Sequence, residues 1–250
     1  MTDDLADIAA RFHDDGFALV RGFLDRNEID ELDREVNRYI HNVLPNVPWT
    51  HKVYESGWSG ALKHFSRLEL YDDYFKRFFD RANTVELVET CLGTPVEPVT
   101  SELFYKPAHV GGAALYHQDN AYFNYLSPYG LVVWIAMDDV TLDNGAVHFA
   151  RGSHRLGDLP HDETGVALFT KALGPTLDPE QHPEVPAILE RGDASVHHFL
   201  TAHRSGANRT DKNRRGFVLD YKAQNAKINE QVQKEHEAYK ATVFTQYGAL

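Results

Sequence analysis

Leu131-Val132-Val133-Trp134-Ile135 is a short β-type run, and it is one of a series. Between Val96 and about Tyr221 it is accompanied by Ser101-Glu102-Leu103-Phe104-Tyr105, Ala146-Val147-His148-Phe149, Ala194-Ser195-Val196-His197-His198-Phe199 and Gly216-Phe217-Val218-Leu219-Asp220-Tyr221. Many short strands separated by polar turns predict a sandwich or jelly roll. The texture on either side is different. Leu5, Ile8, Ala9 and Phe12 recur at helical spacing, and Gly16-Phe17-Ala18-Leu19-Val20 then reads as a short strand. A second helix opens at Asp25, with Glu28 placed as in a capping box, and carries Ile29, Leu32, Val36, Tyr39, Ile40 and Val43 on one face before stopping near Leu44-Pro45. A third is predicted from about Tyr74 to Leu92, with Gly93 as its C′ residue. Ile228 to Tyr239, rich in Glu, Gln and Lys, reads as a closing helix.

The expectation is one domain over residues 1–250, mostly β with flanking helices. Its parts are a mainly helical stretch over 1–95, a β core over 96–222, and a C-terminal helix and tail over 223–250. Within the core, 158–190 contains five prolines and reads as a long irregular insertion, a length at which loops often serve as lids.

At 250 residues, with 42% hydrophobic and 25% charged residues, the chain can bury a full core. The net charge of −12 disfavours nucleic acid and anionic membrane as partners, because phosphate binding needs a basic surface. That charge leaves room for a small anionic substrate in a local basic pocket. Cys91 is the single cysteine, so neither an internal disulfide nor a cysteine-based zinc site can form, and its apolar-periodic setting predicts a small buried hydrophobe. The acidic start Met1-Thr2-Asp3-Asp4-Leu5 lacks secretory character, and no apolar run approaches membrane-spanning length. A soluble cytoplasmic location is expected; oligomeric state is not readable.

The chemistry concentrates in Tyr116-His117-Gln118-Asp119 and in the distal pair His203 and Arg214. His117 and Asp119 are at i and i+2, which on a strand aims both side chains at one point. Two imidazoles and one carboxylate are the ligand set of a mononuclear non-haem Fe(II) oxygenase, with one face of the metal left free for O2 and a cosubstrate. A lone His-x-Asp is weak evidence, and His197 and His198 compete with His203 as third ligand. Solvated surface positions are the simpler expectation for His13, His41, His161, His182 and His236. Arg214 begins a predicted strand beside His203, where a buried guanidinium fork would bind a carboxylate; Arg215 is its rival.

Five blocks in order resemble the phytanoyl-CoA dioxygenase family of Fe(II)/2-oxoglutarate oxygenases. They are Phe104-Tyr105-Lys106-Pro107; Tyr116-His117-Gln118-Asp119-Asn120-Ala121-Tyr122-Phe123; Val133 to Val140 followed by Asp143-Asn144-Gly145-Ala146; Gly152-Ser153-His154; and His203-Arg204-Ser205-Gly206-Ala207-Asn208 with Arg214. The resemblance implies a double-stranded β-helix core of the jelly-roll, cupin-like kind. It implies Fe(II) held by His117, Asp119 and His203, with 2-oxoglutarate and O2 as cosubstrates. Arg214 would pair with the distal carboxylate of 2-oxoglutarate, Ser205 would add a hydroxyl, and Lys106 and Trp134 would lie nearby. Arg151 departs from the pattern, standing where the family commonly has proline. The implied reaction is hydroxylation of an unactivated C–H bond of a small-molecule substrate with release of succinate and CO2. Asp119 favours that outcome, because related halogenases lack the carboxylate.

For substrate contacts the candidates are Asn120, Tyr122, His148 and Arg151, with Lys63, His64 and Arg67 approaching from the N-terminal region. The competing readings are halogenation, desaturation or cyclisation at the same site, a non-catalytic metal-binding or sensor jelly roll, and a zinc hydrolase.

Overall fold

The computed structural model describes residues 3–55, 60–127, 129–174 and 176–246. In chain order the helices are α1 (Leu5–Asp15), α2 (Arg26–Asn42), α3 (Asp73–Phe78), α4 (Ala82–Leu92), α5 (Asn120–Phe123) and α6 (Glu230–Gln246). The strands are β1 (Phe17–Val20), β2 (Lys52–Tyr54), β3 (Leu62–Ser66), β4 (Val96–Lys106), β5 (Ala114–His117), β6 (Gly130–Ala136), β7 (Val147–Ala150), β8 (His161–Glu163), β9 (Lys171–Leu173), β10 (Glu184–Pro186), β11 (Ala194–His198), β12 (His203–Ser205) and β13 (Arg214–Ala223).

All registered pairs are antiparallel. A seven-stranded sheet runs β1-β11-β6-β13-β4-β3-β2, and a four-stranded sheet runs β10-β7-β12-β5. The strand period of two divides β13 cleanly. Phe217, Leu219 and Tyr221 join Leu131, Val133 and Ile135 of β6 in the core beneath α1, α2 and α4. Val218, with Val132, Trp134 and Ala136 of β6, faces the four-stranded sheet. Every residue of β6 is buried, as its unbroken apolar run requires of a strand covered on both faces. Phe17 stacks on Phe149 across the layers, with ring centroids 4.6 Å apart. The predicted jelly-roll core is the fold observed.

The N-terminal helices form as their caps dictate. The Asp25 side chain accepts from the amides of Asn27 and Glu28, while Glu28 accepts from the Asp25 amide, which closes the predicted capping box. The predicted third helix is instead two, α3 and α4. The Phe79 carbonyl accepts from the Tyr221 hydroxyl at 2.9 Å and the two rings pack edge to face, so this part of the chain is held by the sheet. Arg81, which precedes α4 without a side-chain cap, forms an ion pair with Glu28 of α2, and Gly93 ends α4 at φ +66. Cys91 is fully buried, and burial pushes its thiol up to about 12.

Two further differences concern strands. The mainly helical region supplies the expected strand β1 to one edge of the large sheet and, beyond expectation, β3-β2 to the other. The segment 158–190 is less irregular than expected, because it holds the β8-β9 hairpin and adds β10 to the smaller sheet. Short strands with polar faces carry little apolar alternation, so pairing alone reveals them. Among the described residues, no helix is long and apolar enough to cross a membrane.

Candidate active site

β12 lies between β5 and β7, and its register puts His203 directly across from His117. Both imidazoles therefore project from neighbouring strands toward one point. Their ring centroids are 4.3 Å apart. Asp119, two residues beyond His117, brings Oδ1 to 3.8 Å from His117 Nε2 and 3.7 Å from His203 Nε2. The three ligand atoms lie within 4.8 Å of one another, close enough to share a metal ion.

The tautomers suit that role. His117 Nδ1 donates to the Leu115 carbonyl at 2.8 Å and His203 Nδ1 to the Thr201 carbonyl at 2.9 Å, which leaves each Nε2 with its lone pair toward the centre. Burial, followed by the charge of His203, lowers His117 to about 4; burial also lowers His203. Against the opposing effect of burial, His203 and the hydrogen bond from His197 hold the Asp119 carboxyl well below the usual range. Near neutrality the site is thus two neutral imidazoles and one carboxylate, the protonation state metal binding requires.

The rivalry among histidines is resolved by the alternation of β11. His197 faces inward, where its Nε2 lies 3.0 Å from Asp119 Oδ2 and so orients the carboxylate. His198 faces the other way, toward Phe12 and His154, and its Nδ1 accepts from the Leu200 amide. Gln118 explains the middle letter of the triplet. Its amide nitrogen donates to the carbonyls of Gly157 and Leu200, and its oxygen accepts from Leu159, tying the metal loop to the approach to His203.

A cavity of about 640 Å³ opens over this cluster. At one end, Arg214 on β13 pairs in register with Lys106 on β4. Arg214 is 2% exposed, and its guanidinium lies 5.1 Å over the Trp134 ring. It donates to the Gly145 carbonyl at 2.8 Å, while its Nε has no partner. Burial lowers Arg214 to about 10, and burial followed by the Arg214 charge lowers Lys106 to about 7. Lys106 Nζ donates to the Gly112 carbonyl, and Ser205 lines the same end. Arg215 points to the opposite face, gripped by Asp138 and by Asp33 at 2.6 Å, and so cannot reach the cavity.

Of the proposed substrate contacts, Tyr122, Lys63, His64 and Arg67 stand on the cavity wall. Asn120 does not. Its side chain bonds the backbone of Tyr125 at both ends and reaches Asp158, which makes it the brace of the turn after the metal loop. His148 faces outward and lies 3.2 Å from Glu184. Arg151 is half exposed and pairs with Asp15. Strand alternation turns His148 away, whereas Asn120 opens α5 and Arg151 lies in the turn after β7. His236 goes the other way: expected on the surface, it is 4% exposed on α6, packs at a tilt against Tyr122 and lines the cavity. His161 likewise accepts from the Gln118 amide at 3.0 Å.

Residues 12–216 match the family model described as phytanoyl-CoA dioxygenase. The chain belongs to the phytanoyl-CoA dioxygenase family. Its non-haem iron, 2-oxoglutarate-dependent oxygenase character follows from that membership. A phytanoyl-CoA dioxygenase domain-containing protein 1 homolog of Caenorhabditis briggsae is 23% identical, the alignment covering 86% of this chain and 90% of that protein. A probable alpha-ketoglutarate-dependent hypophosphite dioxygenase of Stutzerimonas stutzeri is also 23% identical, over 85% and 77%. Among solved structures, the epimerase SnoN in complex with Fe3+, alpha ketoglutarate and nogalamycin RO superposes with a TM-score of 0.73 at 26% identity, covering 89% of this chain and 84% of that one.

Proposed function

We propose that this protein is an Fe(II)- and 2-oxoglutarate-dependent dioxygenase that hydroxylates an unactivated C–H bond of a small molecule, releasing succinate and CO2. The observation that carries the reading is the buried pair Arg214 and Lys106 beside the His117, Asp119 and His203 cluster. Burying a guanidinium and an amine side by side without a carboxylate partner is costly. The unpartnered Arg214 Nε fits a bound carboxylate that completes the guanidinium's hydrogen bonds. A metal-binding scaffold without a cosubstrate would gain nothing from such an anchor.

When bound, iron would supply O2 activation coupled to the oxidative decarboxylation of 2-oxoglutarate. The chain's contribution is positional. His117, Asp119 and His203 would hold the metal, and His197 would keep Asp119 aimed. Arg214, steadied by Trp134 and Gly145, would fix the distal carboxylate, with Lys106 and Ser205 beside it. Tyr122, Phe169 and His236 would keep bulk water from the reacting face.

The test is anaerobic addition of Fe(II) and then 2-oxoglutarate to the apo-protein, following the weak visible charge-transfer band of the chelate. Wild type should develop the band, and Arg214→Ala should need far more 2-oxoglutarate to do so. Iron binding without a band in wild type would sink the reading.

Lys106 adds a pH signature. With its free ammonium held at about 7, it is largely neutral at pH 8 until an anion arrives. Binding of a dicarboxylate then takes up a proton. The affinity for 2-oxoglutarate should be level below pH 7 and fall by up to about tenfold per unit above it. Calorimetry at pH 8 in two buffers of different ionisation enthalpy reads the proton uptake directly; no uptake removes Lys106 from the anchor.

A further inference from the structure

At the end of the cavity away from Arg214, the interior face of β13 carries a carboxyl with nothing to hold it. Arg214, Gly216, Val218 and Asp220 share that face by strand alternation. Asp220 is 3% exposed and lines the cavity. Among the described residues no hydrogen bond or ion pair reaches its carboxyl, whereas Lys63 and His64 on the same wall are engaged; Arg67 and Lys240 are the other cations lining the cavity. Lys63 lies 3.3 Å from Glu55, and His64 lies 3.0 Å from Glu102. Arg67 belongs to the exposed rim.

The register locates Asp220 relative to the metal cluster. Asp220 pairs with Val132 on β6, and Val132 pairs with His197 on β11. Asp220 and the histidine that aims Asp119 therefore belong to one cross-strand row, two strands apart, roughly 10 Å between backbones. Thr100 completes the row on the other side, and Glu102 stands one step along β4. The groups that bear on Asp220 electrostatically, after burial itself, are Glu102, Asp119 and Glu69, all acidic. Together they keep the carboxyl well above its ordinary range. Val132, Val218 and Tyr125 form apolar surface around it.

We propose that Asp220, backed by Glu102, is the specificity-determining group of this cavity, and that the substrate is a small apolar molecule presenting a protonated amine to it. The inference rests on the oxygenase reading only for what happens to that molecule afterwards. An unpartnered carboxyl facing a cavity is costly to keep, and the cost is recovered when a cationic donor fills the space. An ammonium group supplies the hydrogen bonds and, as the carboxyl releases its proton to solvent on binding, the countercharge as well. A neutral hydroxyl supplies only the first. The cationic end of the cavity is left to 2-oxoglutarate, so the two ligands are sorted by charge.

A matched pair of probes tests this: cyclohexylmethylamine and cyclohexylmethanol, titrated by calorimetry into the full chain with and without Fe(II) and 2-oxoglutarate under anaerobic conditions. The amine should bind about tenfold or more tighter than the alcohol, and Asp220→Asn should erase that difference. The variant supplies a second readout. For a carboxyl raised by burial, the unfolded chain ionises near pH 4 while the folded one retains its proton. Stability is therefore lost as pH climbs from about 4 through the raised value. Asp220→Asn should melt above wild type at pH 8 and lose that advantage near pH 4. An amine no better than the alcohol, including no binding of either, overturns the proposal. So does an Asp220→Asn variant that melts lower at pH 8, because that would make Asp220 a packing residue. Failure of the oxygenase reading is distinguished by a missing chelate band in wild type, which the amine titration without metal does not depend on.

Discussion

Asp119→Ala is expected to lower Fe(II) affinity by more than about a hundredfold and to abolish succinate release while leaving the protein folded. The magnitude follows from what the carboxylate contributes. It is the single anionic ligand of the three, and loss of even an outer partner of a metal ligand typically costs about 10–100-fold. Folding should survive because Asp119 caps no helix by its side chain and lies on the cavity wall rather than in the apolar core. Removing it also relieves a buried charge. His197→Ala should show the intermediate result, about 10–100-fold weaker iron binding, because Asp119 Oδ2 loses the 3.0 Å contact that aims it. Anaerobic Fe(II) titration with a competing chelator measures both. If His197→Ala matches wild type, Asp119 is aimed by other contacts and His197 is only a wall residue.

The contrast between these two positions shows what was legible in sequence. His117 and Asp119 could be paired by their i, i+2 spacing, because adjacent positions on one face of a strand need no tertiary information. His203 could be assigned only through the ordered blocks that resemble the family, since no rule of spacing joins residues far apart on separate strands. The role of His197 was out of reach, because it depends on which way β11 faces. The same limit explains the substrate contacts. Asn120, His148 and Arg151 were chosen for nearness along the chain, and the structure turns each of them to a turn brace or a surface ion pair. Asp220 was visible only as one letter in an apolar run, and its isolation becomes evident once β13 is registered between β4 and β6. In the fold, β6 and β13 announced themselves by long apolar runs, whereas β2, β3 and β12 are short and have no such signal. The single third helix was the natural reading of continuous helical spacing, and it fails because Tyr221 in the sheet captures the Phe79 carbonyl.

Gly216→Ala should be among the most damaging single substitutions at the anchor, although the residue bears no functional group. A methyl at this position would stand 2.0 Å from Cζ2 and 2.2 Å from Cε2 of Trp134, distances no pair of carbon atoms tolerates. The indole cannot simply withdraw. Trp134 is 6% exposed in the all-buried strand β6, with the Arg214 guanidinium 5.1 Å over its ring. Overpacking of this kind costs about 1–3 kcal/mol, and for a chain of this size each kcal/mol lowers the melting temperature by roughly 2–4 °C. The functional consequence is larger than the structural one. Displacing the indole takes the platform from beneath Arg214, so a guanidinium that was fixed by ring and carbonyl becomes mobile about one remaining bond to Gly145. A loss of at least about tenfold in 2-oxoglutarate affinity is expected from a misplaced fork alone. Iron binding by His117, Asp119 and His203 should be far less affected, because those ligands project from β5, the loop after it and β12 in the opposite sheet. Melting curves together with separate Fe(II) and 2-oxoglutarate titrations give the decisive comparison. Equal weakening of both ligands would mean general collapse of the cavity, whereas selective loss of 2-oxoglutarate places the cosubstrate on the Arg214–Trp134–Gly216 stack.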